Sequence, residues 1–547
     1  MLSQDKKRCV CIGVILAGVI VFFSFLQSDT FASSVTHNVR DYGAVGDGFQ
    51  LDTQAIQRAV DECAKGGGQV LLPGGTYLSG TIFMKNNVTL HISEGATLLG
   101  STDIEDYPAT TSPVRHYGDS WVLYSLIYGA NLENIAITGR GLIDGQGGAY
   151  KVTTKKKPDR YMNRPYVIRF IDCRHVRVEN IRMGNSAMWM QHYLGCEDVT
   201  IRGIKVYNHC NKNNDMIDID GCRNVIISDC IGDTDDDAMT LKSTSERPCE
   251  NVTITNCILS SHCNAIKMGT ESHGGFRNIT ISNIVVKPSE HDSRIYGREE
   301  GLGGISLLIV DGGVMEGVTI SNIRIEGTTS PIFMRLGNRG RTYMGPEVTR
   351  EVGRIRNVKI SNVVATGADT IGCSITGLPE HPIENLTLSN IHITFKGGGT
   401  LEDAHKTVPE KPSSYPESTI FGKLPAYGFY IRHANGVTLD KVNLAFEHVD
   451  ARPALVCDDV ASLDVSGLRA LNPQSDESLI RLSDTQDAFI SEFRSDDDLD
   501  LFLSVEGDKT DGIYLTGNDF SKVNRIFEVQ KGAVEEEVKL KGNVLKQ

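Results

Sequence analysis

The sequence predicts an all-β chain wound as a right-handed parallel β-helix, with an amphipathic helix capping its N-terminal end. Three observations predict it: a strand-rich repeat with a period in the twenties, period-two alternation inside each copy, and one helical stripe ahead of the first copy. No helical stripe recurs with the repeat, which excludes leucine-rich and helical solenoids.

The elements follow in chain order. Lys6, Lys7 and Arg8 precede an apolar run from Cys9 to Leu26, and Thr30-Phe31-Ala32 offers a small-residue cleavage site. Residues 1–32 therefore read as an export signal, with an uncleaved membrane anchor as the alternative, and the protein as secreted, periplasmic or cell-surface. Residues 33–547 read as a single domain, since no linker composition interrupts them. In "DTQAIQRAVDECAKGGGQVLLP" (52–73), Ala55, Ile56, Ala59, Val60 and Cys63 share one helical face, and Gly66 to Gly68 stop the helix before a strand. A helix there hides the first open sheet edge.

The repeat itself reads "CRHVRVENI" (173–181), "CEDVTIRGI" (196–204), "CRNVIISDC" (222–230), "CENVTITNC" (249–257) and "FRNITISNI" (276–284). Its apolar markers Val176, Val199, Val225, Val252 and Ile279 are spaced 23, 26, 27 and 27 residues apart; Val318, Val358 and Leu386 continue the series after longer insertions. Stacked at ~4.8 Å per coil, equivalent residues become vertical ladders. Cys173, Cys196, Cys222 and Cys249 form one expected ladder, and Asn256, Asn283, Asn322, Asn362 and Asn390 another. Eleven of the thirteen cysteines follow the leader, with no CxxC pair, so zinc is not expected. Interior thiols behave as small apolar groups; Cys249, Cys257 and Cys263 leave room for one disulfide. The tail from about 495 onward supplies the last coils.

The net charge of −14 argues against nucleic acid and anionic membranes as partners. Against that background "IGDTDDDAMTLKS" (231–243) sets Asp235, Asp236 and Asp237 beside a buried-strand pattern, with Asp233 just ahead. Asp215 lies 21 residues before Asp236, about one coil, so these carboxylates emerge from neighbouring strands on one face. Crowded carboxylates raise one another's pKa. An inverting glycosidase uses a protonated carboxyl at the glycosidic oxygen and a carboxylate that holds water, ~6.5–9.5 Å apart. Solvated turn aspartates or a calcium site fit the residue types equally well.

The sequence as a whole resembles glycoside hydrolase family 28, the polygalacturonase-like enzymes. The resemblance runs from about residue 37 to 400 through "NVRDYGAVGDGFQLDTQAIQRAV", "LIYGANLENIAITGRGLIDGQG" and "RPYVIRFIDCRHVRVENIRMGNSAMWMQH". The family's N-T-D-G-I-D falls on Asn213 to Asp218, and its G-D-D-C-I-A-L-K-S on Asp235 to Ser243. The resemblance implies inverting hydrolysis of an acidic, pectic or related polysaccharide, with Asp236 as general acid, Asp215 and Asp237 activating water, and no cofactor. Two departures stand out. Asn264 occupies the family's histidine position, with His262 two residues early, and "GGISL" (303–307) lacks the Arg and Lys that hold a uronate. Asn213, Asn264, Lys267, His262, Arg335 and Lys242 are the substrate-binding candidates; Glu271, His273, Arg294, Arg298, Asn338, Arg339 and Arg341 are further charged or polar candidates, read mostly as surface. Trp189 reads as packing before sugar platform, and the basic loop 151–160 as solvated. Long insertions at 285–304, 339–353 and 394–427 would close one end of a groove and favour exo attack. A calcium-dependent polysaccharide lyase and a non-catalytic carbohydrate-binding solenoid remain the alternatives.

Overall fold

The earlier coils are each made of three short parallel strands, because each copy of the repeat carries three runs of alternating residues separated by turn formers; from Cys249–Ser261 to Ile383–Gly397 the first two runs continue as one longer strand. A computed structural model describes residues 35–156, 159–343 and 350–547; residues 1–32, read above as an export signal, lie outside them. One coil comprises Glu197–Arg202, Lys205–Asn208 and Ile217–Asp220, and the next Arg223–Ser228, Ile231–Thr234 and Met239–Ser243. They pair in parallel, ribbon by ribbon: Val199 opposite Val225, Val206 opposite Gly232, Ile217 opposite Met239. The chain is thus a right-handed parallel β-helix of three ribbons, and Val35–Gln547 packs as one unit. Its strands continue through Val544–Leu545, so the acidic tail does supply the last coils. Among the described residues, no helix is long and apolar enough to cross a membrane.

The expected apolar ladder is continuous. Val176, Val199, Val225, Val252, Ile279, Val318, Val358 and Leu386 stand in register from coil to coil, each at most 2% exposed. Burying a side chain of this size stabilises by about 1.5–3 kcal/mol, which is why the column is apolar in every coil. Turns carry the second regularity. Asn256, Asn283, Asn322, Asn362 and Asn390 all have φ between 53° and 57°, the left-handed region that asparagine tolerates better than other side chains. Their amides donate down the stack, Asn322 to Asn283 at 3.2 Å, Asn362 to Asn322 at 3.0 Å and Asn390 to Asn362 at 2.8 Å.

All eleven described cysteines are free thiols, and ten are buried. The disulfide for which Cys249, Cys257 and Cys263 left room is not formed. Instead Cys196, Cys222 and Cys249 each donate to a carbonyl of the preceding coil, those of Phe170, Tyr193 and Ile219, at 3.5, 3.1 and 3.8 Å. The capping helix α1 spans Thr53–Cys63 and buries the five predicted residues. Gly68, which follows it, has φ 149°, and a Cβ there would meet the Val35 carbonyl oxygen at 2.3 Å, so the turn admits only glycine.

The site depends on the third ribbon. Alternation sends Ile217, Ile219, Met239 and Leu241 inward, leaving Asp218, Asp220, Thr240 and Lys242 outward on adjoining strands. Four insertions leave the coil at one corner, between the second and third ribbons: 101–124, 145–165, 287–302 and 398–428. They wall in a cleft over this face, joined by Arg341 from the connection that follows the strand Ser330–Leu336.

Candidate active site

The cleft has a volume of about 410 Å³, and Asp215, Asp236, Asp237 and Lys242 are among the residues that line it. Asp215 precedes the strand Ile217–Asp220 and Asp237 the neighbouring strand Met239–Ser243, so register places them side by side. One carboxylate oxygen from each of Asp215, Asp236 and Asp237 lies within 4.8 Å of the other two. This is closer than the ~6.5–9.5 Å anticipated for an inverting pair. Asp215 and Asp237 are 2% and 3% exposed, whereas Asp236 is half-buried and open to the cleft.

The backbone is aimed by the asparagines. The Asp236 N–H donates to Asn214 Oδ1 at 3.1 Å, and Asn214 Nδ2 donates to the Asn208 carbonyl at 2.7 Å. Thr234 and Ser261 hydroxyls both donate to the Asp236 carbonyl at 2.7 Å. Asp237 accepts from Lys267 Nζ at 2.7 Å, Asn264 Nδ2 at 2.8 Å and the Asn264 N–H at 3.2 Å. Lys242 stands 3.6 Å from Asp215, 3.4 Å from Asp218 and 3.7 Å from Glu271.

Burial dominates the electrostatics. It pushes Asp236 up to about 6, with Asp237 adding to the shift. Burial, then Asp218 and Asp236, push Asp215 well above the carboxylate range. Three carboxyls this close cannot all be charged, so the trio retains a proton into the neutral range. Burial also opposes the charge on Lys242 and Lys267, but the surrounding carboxylates outweigh it and hold both well above the usual lysine value.

The family model for glycosyl hydrolases family 28 matches residues 66–414. The chain belongs to that family. Over 214 residues this family-28 chain is 35% identical to the Vitis vinifera protein named "Probable polygalacturonase", across 37% of this chain and 43% of that one. Over 199 residues it is 28% identical to "Exo-poly-alpha-D-galacturonosidase" of Dickeya chrysanthemi, across 35% and 31%. Both matches span less than half of the relative's length. The exopolygalacturonase of Thermotoga maritima superposes with a TM-score of 0.59 at 23% identity, over 75% of this chain and 92% of that one, a likeness of fold.

Within the family-28 site, the candidate residues divide. Asn213 lines the cleft and its Oδ1 accepts from Arg160 and Arg164, each at 3.2 Å. Asn264 and Lys267 face Asp237. His262 does not reach the cleft: it is 1% exposed, with Nδ1 3.0 Å from Asp235. Arg335 does not either. Its guanidinium donates to the carbonyls of Gly377 and Glu410 at 3.0 and 2.6 Å and lies beside Phe421, holding down the 398–428 insertion. Trp189 lines the cleft with Lys242 Nζ 4.5 Å above its ring.

Asp233 and Asp235 hold another insertion. Asp235 accepts from the N–H groups of Ile295 and Tyr296 at 2.6 and 2.9 Å, and Asp233 from Ser289 Oγ and the Glu290 N–H at 2.6 and 3.0 Å. His209 and His262 back them, at 3.0 Å each. The segment so clamped delivers Tyr296 to the cleft, where its hydroxyl accepts from Arg160 at 2.5 Å. The basic loop 151–160 therefore ends in a cleft residue rather than being solvated throughout. Sequence reasoning missed Tyr296, Tyr415, Glu417, Trp121 and Tyr117, all on insertions. Arg341, which it set down mostly as surface, lines the cleft paired with Glu271 and lies 4.2 Å over the Tyr117 ring.

Proposed function

We propose that this family-28 chain is a secreted, inverting, polygalacturonase-like hydrolase of an acidic, pectic polysaccharide, carried out of the cell by residues 1–32. The observation that carries the reading is the convergence of Asp215, Asp236 and Asp237 on the cleft floor. Asp236, the least buried of the three, gives its proton to the glycosidic oxygen as the bond to the sugar carbon breaks. Asp215 and Asp237 hold the attacking water, Asp237 takes its proton, and Lys267 balances the charge on Asp237. Inversion is supported by the family's pattern, not by the carboxylate spacing, which is short for it. Arg160 and Arg341 are the cations placed to meet a uronate in the absence of the family's Arg and Lys. Walls from four insertions favour attack on chain ends.

A calcium-dependent lyase is disfavoured because Lys267 already occupies the Asp237 oxygen that a cation would take, and Lys242 adds a second positive charge 3.6 Å from Asp215; activity is expected to survive EDTA without forming an unsaturated product. The test is reducing-sugar release from pectic, rhamnogalacturonan and sulfated algal polysaccharides. Asp236→Asn is expected to lose about 10²–10⁴-fold of the wild-type rate, and proton NMR of the first product to show the inverted anomer. Equal release by the variant, or the retained anomer, refutes the assignment.

A further inference from the structure

Glu417 comes from the 398–428 insertion, far in sequence from the aspartate motif, yet it lines the cleft with Asp236 and Asp237. Its two oxygens face the two donors that hold Asp237: Oε2 is 3.4 Å from Asn264 Nδ2 and Oε1 is 3.9 Å from Lys267 Nζ. Asn264 and Lys267 therefore stand between two carboxyls, closer to Asp237 in each case. The placement is secured next door, where Ser418 Oγ donates to the Leu302 carbonyl at 2.8 Å and ties this insertion to its neighbour. Asn264 is the residue found where the family pattern has histidine, so the shared donor and the added carboxyl occur together at one departure from that pattern.

We infer that Glu417 is a positioning residue of the proposed hydrolysis, dividing Lys267 and Asn264 with Asp237 and so setting both how basic Asp237 is and how firmly Asp236 keeps its proton. The inference rests on the catalytic reading above. Facing Glu417 are Lys267 and Asn264 on the third-ribbon strand, Asp236 and Asp237 on the turn before the adjoining strand, Cys263 ahead of Asn264, and Tyr415 on its own insertion. Burial pushes the Glu417 carboxyl up to about 7, with Lys267 pulling it down and Asp237 adding to the rise, so it titrates near neutral pH.

The direction of the effect follows from charge. Replacing Glu417 by glutamine keeps an acceptor for Asn264 and Lys267 but removes the negative charge. Lys267 then acts on Asp237 alone and makes it a weaker base, while Asp236 loses a neighbouring anion and gives up its proton at lower pH. Both limbs of the pH–rate profile move the same way.

The experiment compares wild type, Glu417→Gln, Glu417→Asp and Asp236→Asn as full chains on one polysaccharide that wild type cleaves. Glu417→Gln is expected to lower kcat about tenfold at neutral pH with KM within about twofold, and to slide the whole profile down by about half to one pH unit. Glu417→Asp, which keeps the charge, is expected to restore the profile and part of kcat. A Glu417→Gln profile that overlays wild type, or a change confined to KM, overturns the inference while an inactive Asp236→Asn leaves the catalytic reading standing. An active Asp236→Asn overturns the catalytic reading and the inference with it.

Discussion

Asp235 and Asp236 are adjacent in the chain and opposite in duty. Asp235 is saturated by backbone amides and a histidine; Asp236 is the carboxyl left open to the cleft. The raised value of Asp236 fixes two consequences. First, kcat/KM should fall about tenfold per pH unit above about 6 as the acid loses its proton. Second, the folded value lies above the unfolded one, so the folded state binds the proton more tightly. The stability this group contributes is complete below the unfolded carboxylate value and is lost as pH rises through about 6. Asp236→Asn should therefore raise Tm relative to wild type at pH 8, by an amount that shrinks to nothing near pH 4, measured by scanning calorimetry. A difference that is larger at pH 4 contradicts the sign.

At the scale of elements, the insertion that carries Tyr296 is held by charge and the turns by asparagine. Asp235→Ala removes the acceptor for two amides, and is expected to raise KM about tenfold, about 1.4 kcal/mol, with kcat changed less. Proteolysis within 285–304 should quicken alongside. For the turns, Asn322→Ala places a Cβ-bearing residue without a compensating amide at positive φ and should cost about 1–2 kcal/mol. Asn322→Gly should cost less, as read from denaturant midpoints, since glycine retains the conformation. These turns and the apolar column were legible in the sequence because a repeat copies its physics: the same residue at the same place in successive coils can only be a ladder. The aspartate trio was legible for the same reason, one coil of spacing. Glu417, Tyr296 and Arg160 were not, because an insertion has no period and its path is set by contacts such as Asp235 with Tyr296. Arg335 was misplaced because a strand arginine facing outward looks free until the insertion that covers it is known. His262 misled likewise, since its partner Asp235 was read as part of the charged run.

For the whole molecule, stability is distributed over stacked coils rather than concentrated in crosslinks. All eleven described cysteines are unpaired, so a reductant should leave Tm unchanged; a downward shift on adding dithiothreitol would show a disulfide that the free thiols exclude. The cost of crowding carboxylates at the cleft is borne by a long core whose stability sums over neighbouring coils.

The four cleft walls depart from one corner of the coil, and strand pairing above and below each departure keeps its register whatever the length between. The walls that choose the substrate can therefore vary in length without shifting the ladder, although the 398–428 wall also packs on the coil through Val408, Phe421 and Leu424. A chimera that exchanges the 398–428 segment for a relative's loop should change its choice of glycan, and should keep its unfolding midpoint only where the new loop again supplies carbonyls to the buried Arg335 and Arg452.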